Sequence, residues 1–417
     1  MKKSLLAVAA MGAFASAAQA QSSVTVYGIL DAGYSNSSTR VNTKKVNTST
    51  IGQDAETNSR IGFRGTEDLG GGTSAFFTAE TNITMMNGGA PQYGPSAANS
   101  TTNAQTGTTA NAGNVFSGNR QAFVGLSKKG IGRAALGTQY TVLHDAVTST
   151  DVGQSNNVIG SVIRPIGAAA NSGSNSGAQG DHLVRTTNAL KFNSDKFAGF
   201  GLNAIYIQNN SDTTQTAAQS TAAPSAISTV SVVGSNNYNG YGLSVDYRWQ
   251  KLNAVVAMNS IKQEQTFVGQ FSATGTTGLP GTESLGTQTN VRMNDTYAGA
   301  VYDFGILKGY LAWSSRKLTG GLDSNQYAKR SAQQVGVRSF ITPTIEGWAS
   351  IGNGRASTFG AGTPTANFNA WQLGSNYLLS KRTNLYAIYG QTLTSSTSSL
   401  TSGAAGSQFA VGVRHTF

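Results

Sequence analysis

Three histidines, His144, His182 and His415, are the only imidazoles in a 417-residue chain that has no cysteine. General-base and nucleophilic chemistry therefore have few residues to work with. His144 beside Asp145 offers a dyad on paper, but neighbours in an extended strand or loop point apart. No third group stands where it would orient either one. Thiolates, disulfides and cysteine-held metals are excluded together. Asp295, Asp303 and Asp323 lack the alternating spacing of a calcium loop. The residues point to no catalysis, no metal and no cofactor.

Isolated charges remain. Lys and Arg number 29 against 18 Asp and Glu, giving a formal net charge of +11. Such an excess suits a phosphate-rich partner, but the charges are scattered singly and Lys2 and Lys3 leave with a leader. No nucleic-acid partner is expected. The leader is residues 1–20: a basic start, an apolar run from Ser4 to Ala18, and Ala18-Gln19-Ala20 as a small-x-small cleavage site. The mature chain, 21–417, reads as one domain.

Its composition dictates how that domain is built. Charged residues are only 11% and hydrophobic residues 38%, whereas soluble domains carry roughly 25% charge. No mature segment approaches the ~18 apolar residues of a membrane helix. An antiparallel sheet closed on itself, with alternate residues facing lipid, satisfies both facts. The alternation is plainest at 241–249, where Tyr241, Leu243, Val245, Tyr247 and Trp249 share one face and Gly242, Ser244, Asp246 and Arg248 the other.

Similar segments occur near 23–35, 58–67, 72–85, 119–128, 132–141, 184–193, 199–208, 240–250, 251–261, 292–303, 307–318, 331–341, 343–353, 367–378, 382–392 and 407–417. Segments 199–208 and 343–353 carry apolar residues on both faces. Tight links such as Glu67–Gly72 and Lys129–Gly132 alternate with long Asn/Ser/Thr/Gly-rich links at 36–57, 86–118, 142–183, 209–239, 262–291, 319–330, 354–366 and 393–406. That sorting predicts an all-β fold: a transmembrane antiparallel β-barrel of about 16 strands, with short periplasmic turns and long extracellular loops. Tyr34, Phe123, Tyr140, Tyr377, Tyr386 and Tyr389 near strand ends suit interfacial girdles.

Several strand sequences closely resemble the general trimeric porins of the β-proteobacterial type. They are Ser23-Val-Thr-Val-Tyr-Gly-Ile-Leu-Asp-Ala-Gly33, Ser59-Arg-Ile-Gly-Phe-Arg-Gly-Thr-Glu-Asp-Leu-Gly-Gly-Gly72, Asn119-Arg-Gln-Ala-Phe-Val-Gly-Leu126, Leu136-Gly-Thr-Gln-Tyr140, Tyr377–Tyr386 and Val411-Gly-Val-Arg-His-Thr-Phe417. The long loops do not match. The resemblance implies a homotrimer of 16-stranded barrels, each a channel for small ions and hydrophilic solutes, narrowed by the third long loop, 142–183. It implies insertion by the β-barrel assembly machinery, with Phe417 as the signal. Where the family often has Arg, position 138 is Thr, which weakens the implied anion preference.

In such a channel, basic residues on the inner wall favour anions. By alternation or family position these are Arg60, Arg120, Arg133, Arg185, Lys191, Arg338 and Arg414. Arg60 opposes Ile61 and Phe63, and Arg414 opposes Val411 and Val413; for Arg120 the neighbours Phe123 and Val124 disagree. Asp145 and Asp151 of the third loop are candidates for an acidic patch facing that wall, and Asp31 and Glu80 are assigned to the lumen because a bare charge toward lipid costs a few kcal/mol. Exposed Lys44, Lys45, Lys329 and Arg330 could meet lipopolysaccharide phosphates within the outer-membrane lipid. The expected function is passive diffusion with a weak anion preference. The competing readings are a substrate-selective channel of the same fold and a surface-binding barrel, an adhesin or phage receptor, whose loops matter more than its lumen.

Overall fold

The computed structural model describes residues 23–41, 44–86, 116–164, 182–213, 233–268, 291–321, 324–325, 327–359, 365–395 and 404–417. The leader, most of the second long link, residues 165–181 with Asp181, and Asp323 lie outside them.

The described chain is almost wholly strand. It runs β1 (Ser23–Val41), β2 (Lys44–Gln53), β3 (Arg60–Gly70), β4 (Thr73–Ile83), β5 (Phe116–Lys128) and β6 (Gly132–Tyr140). One helix follows, α1 (Val142–Thr150), then β7 (Arg185–Ser194), β8 (Phe200–Thr213), β9 (Val233–Trp249) and β10 (Leu252–Val268). The series ends with β11 (Val291–Asp303), β12 (Lys308–Gly320), β13 (Tyr327–Phe340), β14 (Ile345–Phe359), β15 (Ala366–Leu378), β16 (Thr383–Thr394) and β17 (Ala404–Thr416).

Apart from β2 and β3, each strand pairs antiparallel with its sequence neighbour, and β17 returns to pair with β1 from Ile29↔Thr416 to Val41↔Ala404. The free edge is thereby abolished. Gly28 and Phe417 exchange two backbone hydrogen bonds of 3.1 Å, so the last residue fastens the seam. Although 17 segments are present, β2 and β3 both pair with the same side of β1, β3 with its first half and β2 with its second. They are one barrel strand interrupted at residues 54–59, and the barrel has 16 strands.

The interruption is built by buried polar groups. Asp31 Oδ2 accepts from the backbone N–H groups of Glu56 (2.8 Å) and Thr57 (2.7 Å), and Oδ1 accepts from the Tyr386 hydroxyl (2.6 Å). Asp54 stands at φ 71°, a left-handed conformation that Asp tolerates better than most residues. Ala55 is turned inward and wholly buried.

All sixteen expected strands are present, but the polar ends were underestimated. The expected link 36–57 is a hairpin, with β1 running to Val41 and β2 starting at Lys44. Strands β9 and β10 likewise pair out to Val233↔Val268. Ladder hydrogen bonds are made by backbone, so Asn-, Ser- and Thr-rich stretches extend strands wherever a neighbour is in register.

Alternation sorts the two faces as expected. On β9 Tyr241, Leu243, Val245 and Trp249 are exposed toward lipid, while Ser244 is buried inside. At the short-turn end Gly70, Gly71 and Gly72 all have positive φ (83°, 60° and 74°), which a tight reversal between β3 and β4 requires.

Candidate functional site

The inner wall from β3 to β7 gathers basic side chains. Arg60 and Arg64 lie on the inward face of β3, opposite exposed Phe63. Arg60 Nε is 3.7 Å from Glu80, and the Arg64 guanidinium sits 5.2 Å from the centre of the Tyr27 ring. Arg120 donates to Glu80 (2.5 Å), to Asn82 (3.1 Å) and to the Tyr140 hydroxyl (2.7 Å). Arg185 stacks over Tyr140 at 5.6 Å. Two guanidinium groups, those of Arg60 and Arg120, thus stand against one carboxylate, with Arg64 and Arg185 over the neighbouring Tyr27 and Tyr140 rings.

Arg120 shows why its neighbours disagreed. Ala122, Val124 and Leu126 face outward, and strict alternation would send Arg120 with them. The β4–β5 register instead shifts between Glu80↔Gln121 and Thr81↔Asn119, leaving Arg120 as the extra residue. This bulge turns it inward, where it is only 3% exposed.

The other predicted lumenal residues are placed as follows. Lys191 faces inward and pairs with Asp145, so that carboxylate joins the basic wall instead of facing it from a distance. Asp151 is buried and accepts from the backbone N–H of Ser155 (2.6 Å); it shapes the loop, which corrects the expectation of an open acidic patch at 145 and 151. Asp31 is inward but completely buried in the strand interruption, so it does not line open lumen. Arg338 makes two bonds to Glu346 (2.6 and 2.5 Å), so its charge is matched. Arg414 faces inward beside Asn384, 3.4 Å away. Arg133 lies on the inward face near the short turn that precedes it, with an exposed side chain.

Arg330, expected at the outer surface, is instead 7% exposed and inward, donating to the Val162 carbonyl (2.5 Å). It shares parity with Arg338 on β13, which would have placed it. Arg64 was also overlooked, although Arg60-x-x-x-Arg64 keeps the two on one face. Arg316, inward on β12 with Asp295 at 3.7 Å, was missed as well. His144 meets His182 (3.1 Å between ring nitrogens), whereas Asp145 turns to Lys191, so the adjacent pair forms no dyad.

The wall from β9 to β16 is built differently. Thr141 caps α1 by accepting from the His144 N–H (3.1 Å). The chain from Val142 to Arg164 then runs along the inside of the barrel. Val147, Val152, Val158 and Val162 are each at most 2% exposed. They pack on inward Tyr297, Ala312, Ala332, Ala370, Trp348 and Ile388. This explains the apolar residues on both faces of 199–208 and 343–353: Ile205, Ile207 and Trp348 face the loop, not water.

Glutamines hold the loop backbone. Gln372 Nε2 donates to the Val158 carbonyl (3.0 Å), and its Oε1 accepts from Asn156 (2.7 Å). Gln408 Oε1 accepts from Ile159 N–H (3.1 Å), and Gln334 Oε1 from Val162 N–H (3.0 Å). Arg338 adds a bond to the Val152 carbonyl (2.9 Å). Where the loop reaches β2 and β3, Asn157 donates to the carbonyls of Ala55 (2.9 Å) and Asp54 (2.6 Å), so the strand interruption is one more of its anchors. Gly390 leaves no side chain where Ile159 O lies; any Cβ there would overlap that oxygen.

A charged, hydrogen-bonded lumen inside a closed sheet can pass ions and small polar solutes. Known proteins agree with this geometry. The model of the family described as Gram-negative porin matches residues 7–397. An outer membrane porin protein of Bordetella pertussis is 29% identical over the full length of both chains. Outer membrane porin protein 32 of Delftia acidovorans is 31% identical over 52% of each. Among solved structures, the anion-selective porin from Comamonas acidovorans superimposes with a TM-score of 0.63 at 21% identity, covering 95% of this chain and all of that one. OmpF of Salmonella typhi does so at 0.55 and 15% identity, covering 94% and 97%. The chain therefore belongs to the Gram-negative porin family, and its barrel is an outer-membrane channel, not an enzyme.

Proposed function

We propose that this porin passes ions and small hydrophilic solutes by passive diffusion with a weak preference for anions. The observation that carries the preference is that Arg60, Arg64, Arg120 and Arg185 share one stretch of wall, where Glu80 pairs with Arg60 and Arg120 and Arg64 and Arg185 rest on the Tyr27 and Tyr140 rings. Fixed positive charge in a confined aqueous lumen raises local anion concentration. The preference is weak because Lys191, Arg338 and Arg316 each stand beside an acidic partner. The anion selectivity of the Comamonas protein supports the same sign.

In this reading residues 142–183 are the constriction loop, and 142–164 narrow the lumen by lying on its wall. Residues 1–20 are removed as a signal peptide on export, leaving 21–417 as the barrel. The working unit is a homotrimer, inserted by the β-barrel assembly machinery with Phe417 as its signal. The loop end faces outward toward lipopolysaccharide, with Lys45 and Lys329 exposed there; the side chain of Lys44 lies outside the described residues.

The test is the conductance and reversal potential of purified, refolded protein in a planar bilayer under a potassium chloride gradient. Current steps in groups of three with a reversal favouring chloride are expected. A reversal favouring potassium would overturn the role given to the arginine cluster.

A further inference from the structure

The basic wall from β3 to β7 carries two phenyl rings that a polar lumen does not call for. On β4, Ser74, Phe76, Thr78 and Glu80 share the inward face, and no register shift separates Phe76 from Glu80. On β5, Gln121 pairs with Glu80 and Phe123 with Thr78, so Phe123 is inward as well. Its neighbour Val124 takes the lipid face, 61% exposed. Phe123, expected in the interfacial girdle, is therefore lumenal.

The two rings meet edge to face, with centres 6.2 Å apart. Phe76 leans across Gly125, where a Cβ would stand 2.7 Å from the tip of the ring. The rings thus lie along the wall as a ledge. Both are partly exposed, and neither belongs to the apolar clusters that residues 142–164 build on the other wall. Apolar surface facing water is costly unless something covers it.

Arg64 stands beside this ledge, directly across from Thr78. Neighbouring strands lie about 4.8 Å apart, so roughly 10 Å of backbone separates Arg64 from Phe123, with Thr78 between them. The guanidinium and the rings reach into that span from its two ends, and the distance left is on the scale of one benzene ring bearing a carboxylate. One face of the Arg64 guanidinium is taken by the Tyr27 ring, and among the described residues no carboxylate is bonded to it. Its N–H fork is left for an anion.

We propose that Arg64, Phe76 and Phe123 form a solute subsite for aromatic carboxylates, between the arginine cluster and the short-turn mouth. The Arg64 fork donates two hydrogen bonds to the carboxylate. The solute's ring lies against Phe76 and Phe123 and covers them. Inorganic anions and short aliphatic acids use the guanidinium alone and leave the ledge bare, which is why the solute is aromatic. The inference rests on the channel reading proposed above and names a solute class for it.

The experiment titrates benzoate, cyclohexanecarboxylate and acetate against the refolded full barrel in a planar bilayer with potassium chloride, and reads the concentration that halves the open-channel current. An aromatic pair contributes about two- to ten-fold in affinity beyond the area it buries. Benzoate should therefore block several-fold more tightly than the saturated acid, and acetate more weakly than either. F76L/F123L keeps apolar bulk and removes both rings; it should raise the half-blocking concentration of benzoate about ten-fold, and R64Q at least as far. F77L, which makes the same change on the lipid face of β4, should be blocked like the parent. Parental block in F76L/F123L would overturn the subsite, and so would equal block of the parent by benzoate and acetate. Equal block by the saturated acid would overturn the aromatic class. The reversal potential separates this from the channel reading: a parent that prefers chloride yet ignores benzoate sinks only the subsite, whereas a parent that prefers potassium sinks the reading beneath it.

Discussion

The two halves of the lumen wall obey different rules. From β3 to β7 the inward positions carry Arg60, Arg64, Arg120, Arg185 and Lys191, and charge dominates the wall. From β9 to β16 they carry Ala257, Ala312, Ala332, Ala370, Gly336, Gly352 and Gly390, and the wall meets residues 142–164. One side is a charged surface, the other a shallow track of small residues with an apolar core on it. On the second wall the polar inward side chains, among them Gln334, Gln372 and Arg338, bond the loop instead of facing open lumen. On the proposed reading selectivity belongs to the first wall and bore to the second, so the two can be perturbed separately.

The largest effect belongs to the wet wall's buried pair. Arg120 and Glu80 have side chains only 4% exposed each. Replacing Arg120 by Met leaves a buried carboxylate short of its main partner, at a cost of about 3–5 kcal/mol in urea unfolding of the folded barrel. The double variant R120M/E80M recovers most of that loss. Equal destabilisation by single and double variants would mean that shape, not the ion pair, matters at this bulge.

The dry wall is broken by adding atoms. Gly390→Val places a side chain on Ile159 O and forces the loop off its track. Overpacking of this kind costs about 1–3 kcal/mol, and single-channel conductance should rise as the loop leaves the wall. Gly347→Ala near the start of β14 is the control, because the nearest atom there is the end of the Ile341 side chain at 3.2 Å and its φ is not positive. A Gly390→Val channel with parental conductance would remove the loop from the constriction. Gln372→Leu acts on the same contact by subtraction, taking the Gln372 donor from the Val158 carbonyl and its acceptor from the Asn156 amide. Each buried group left unsatisfied costs about 1–3 kcal/mol, relieved where the loop shifts to reach water. Increased open-channel noise is the expected readout, with mean conductance changing less than in Gly390→Val.

The contrast also explains what was legible in the sequence. Strand existence was, because lipid enforces period two on the outer face: Phe63, Tyr241, Leu243, Val245 and Trp249 are exposed as read. Arg414 and Arg60 followed from that same parity, and Arg64, Arg316 and Arg330 were available to it. Arg120 was not, because a bulge shifts parity by one residue and leaves no compositional trace. The dry wall was hidden for another reason. Ile205, Ile207 and Trp348 look misplaced until a loop distant in sequence covers them. Gln334, Gln372 and Gln408 each sit opposite an outward Val335, Leu373 or Phe409, so their inward facing could be read, but not the loop carbonyls and amides they would meet. Asp31 was read correctly as inward and wrongly as pore-lining, since sequence does not reveal that the neighbouring strand breaks to wrap around it.

The smallest expected effect on stability is also the sharpest on selectivity. Arg64 has no carboxylate partner among the described residues and rests on the Tyr27 ring. A cation–π contact at a wet site contributes about 0.5–1 kcal/mol, so Arg64→Gln should unfold almost like the parent. It removes one uncompensated positive charge from the lumen, and the reversal potential should move toward potassium. The matching variant on the dry wall is R338Q/E346Q, which deletes one charge of each sign from a bonded pair. Net lumen charge is unchanged there, so the reversal potential should stay put even if the Val152 contact weakens. If both variants shift selectivity alike, charge location along the wall is irrelevant and the division of labour between the two walls fails. If neither does, selectivity is set outside the cluster, and the arginines hold Glu80, Tyr27 and Tyr140 in place without reading the passing ion.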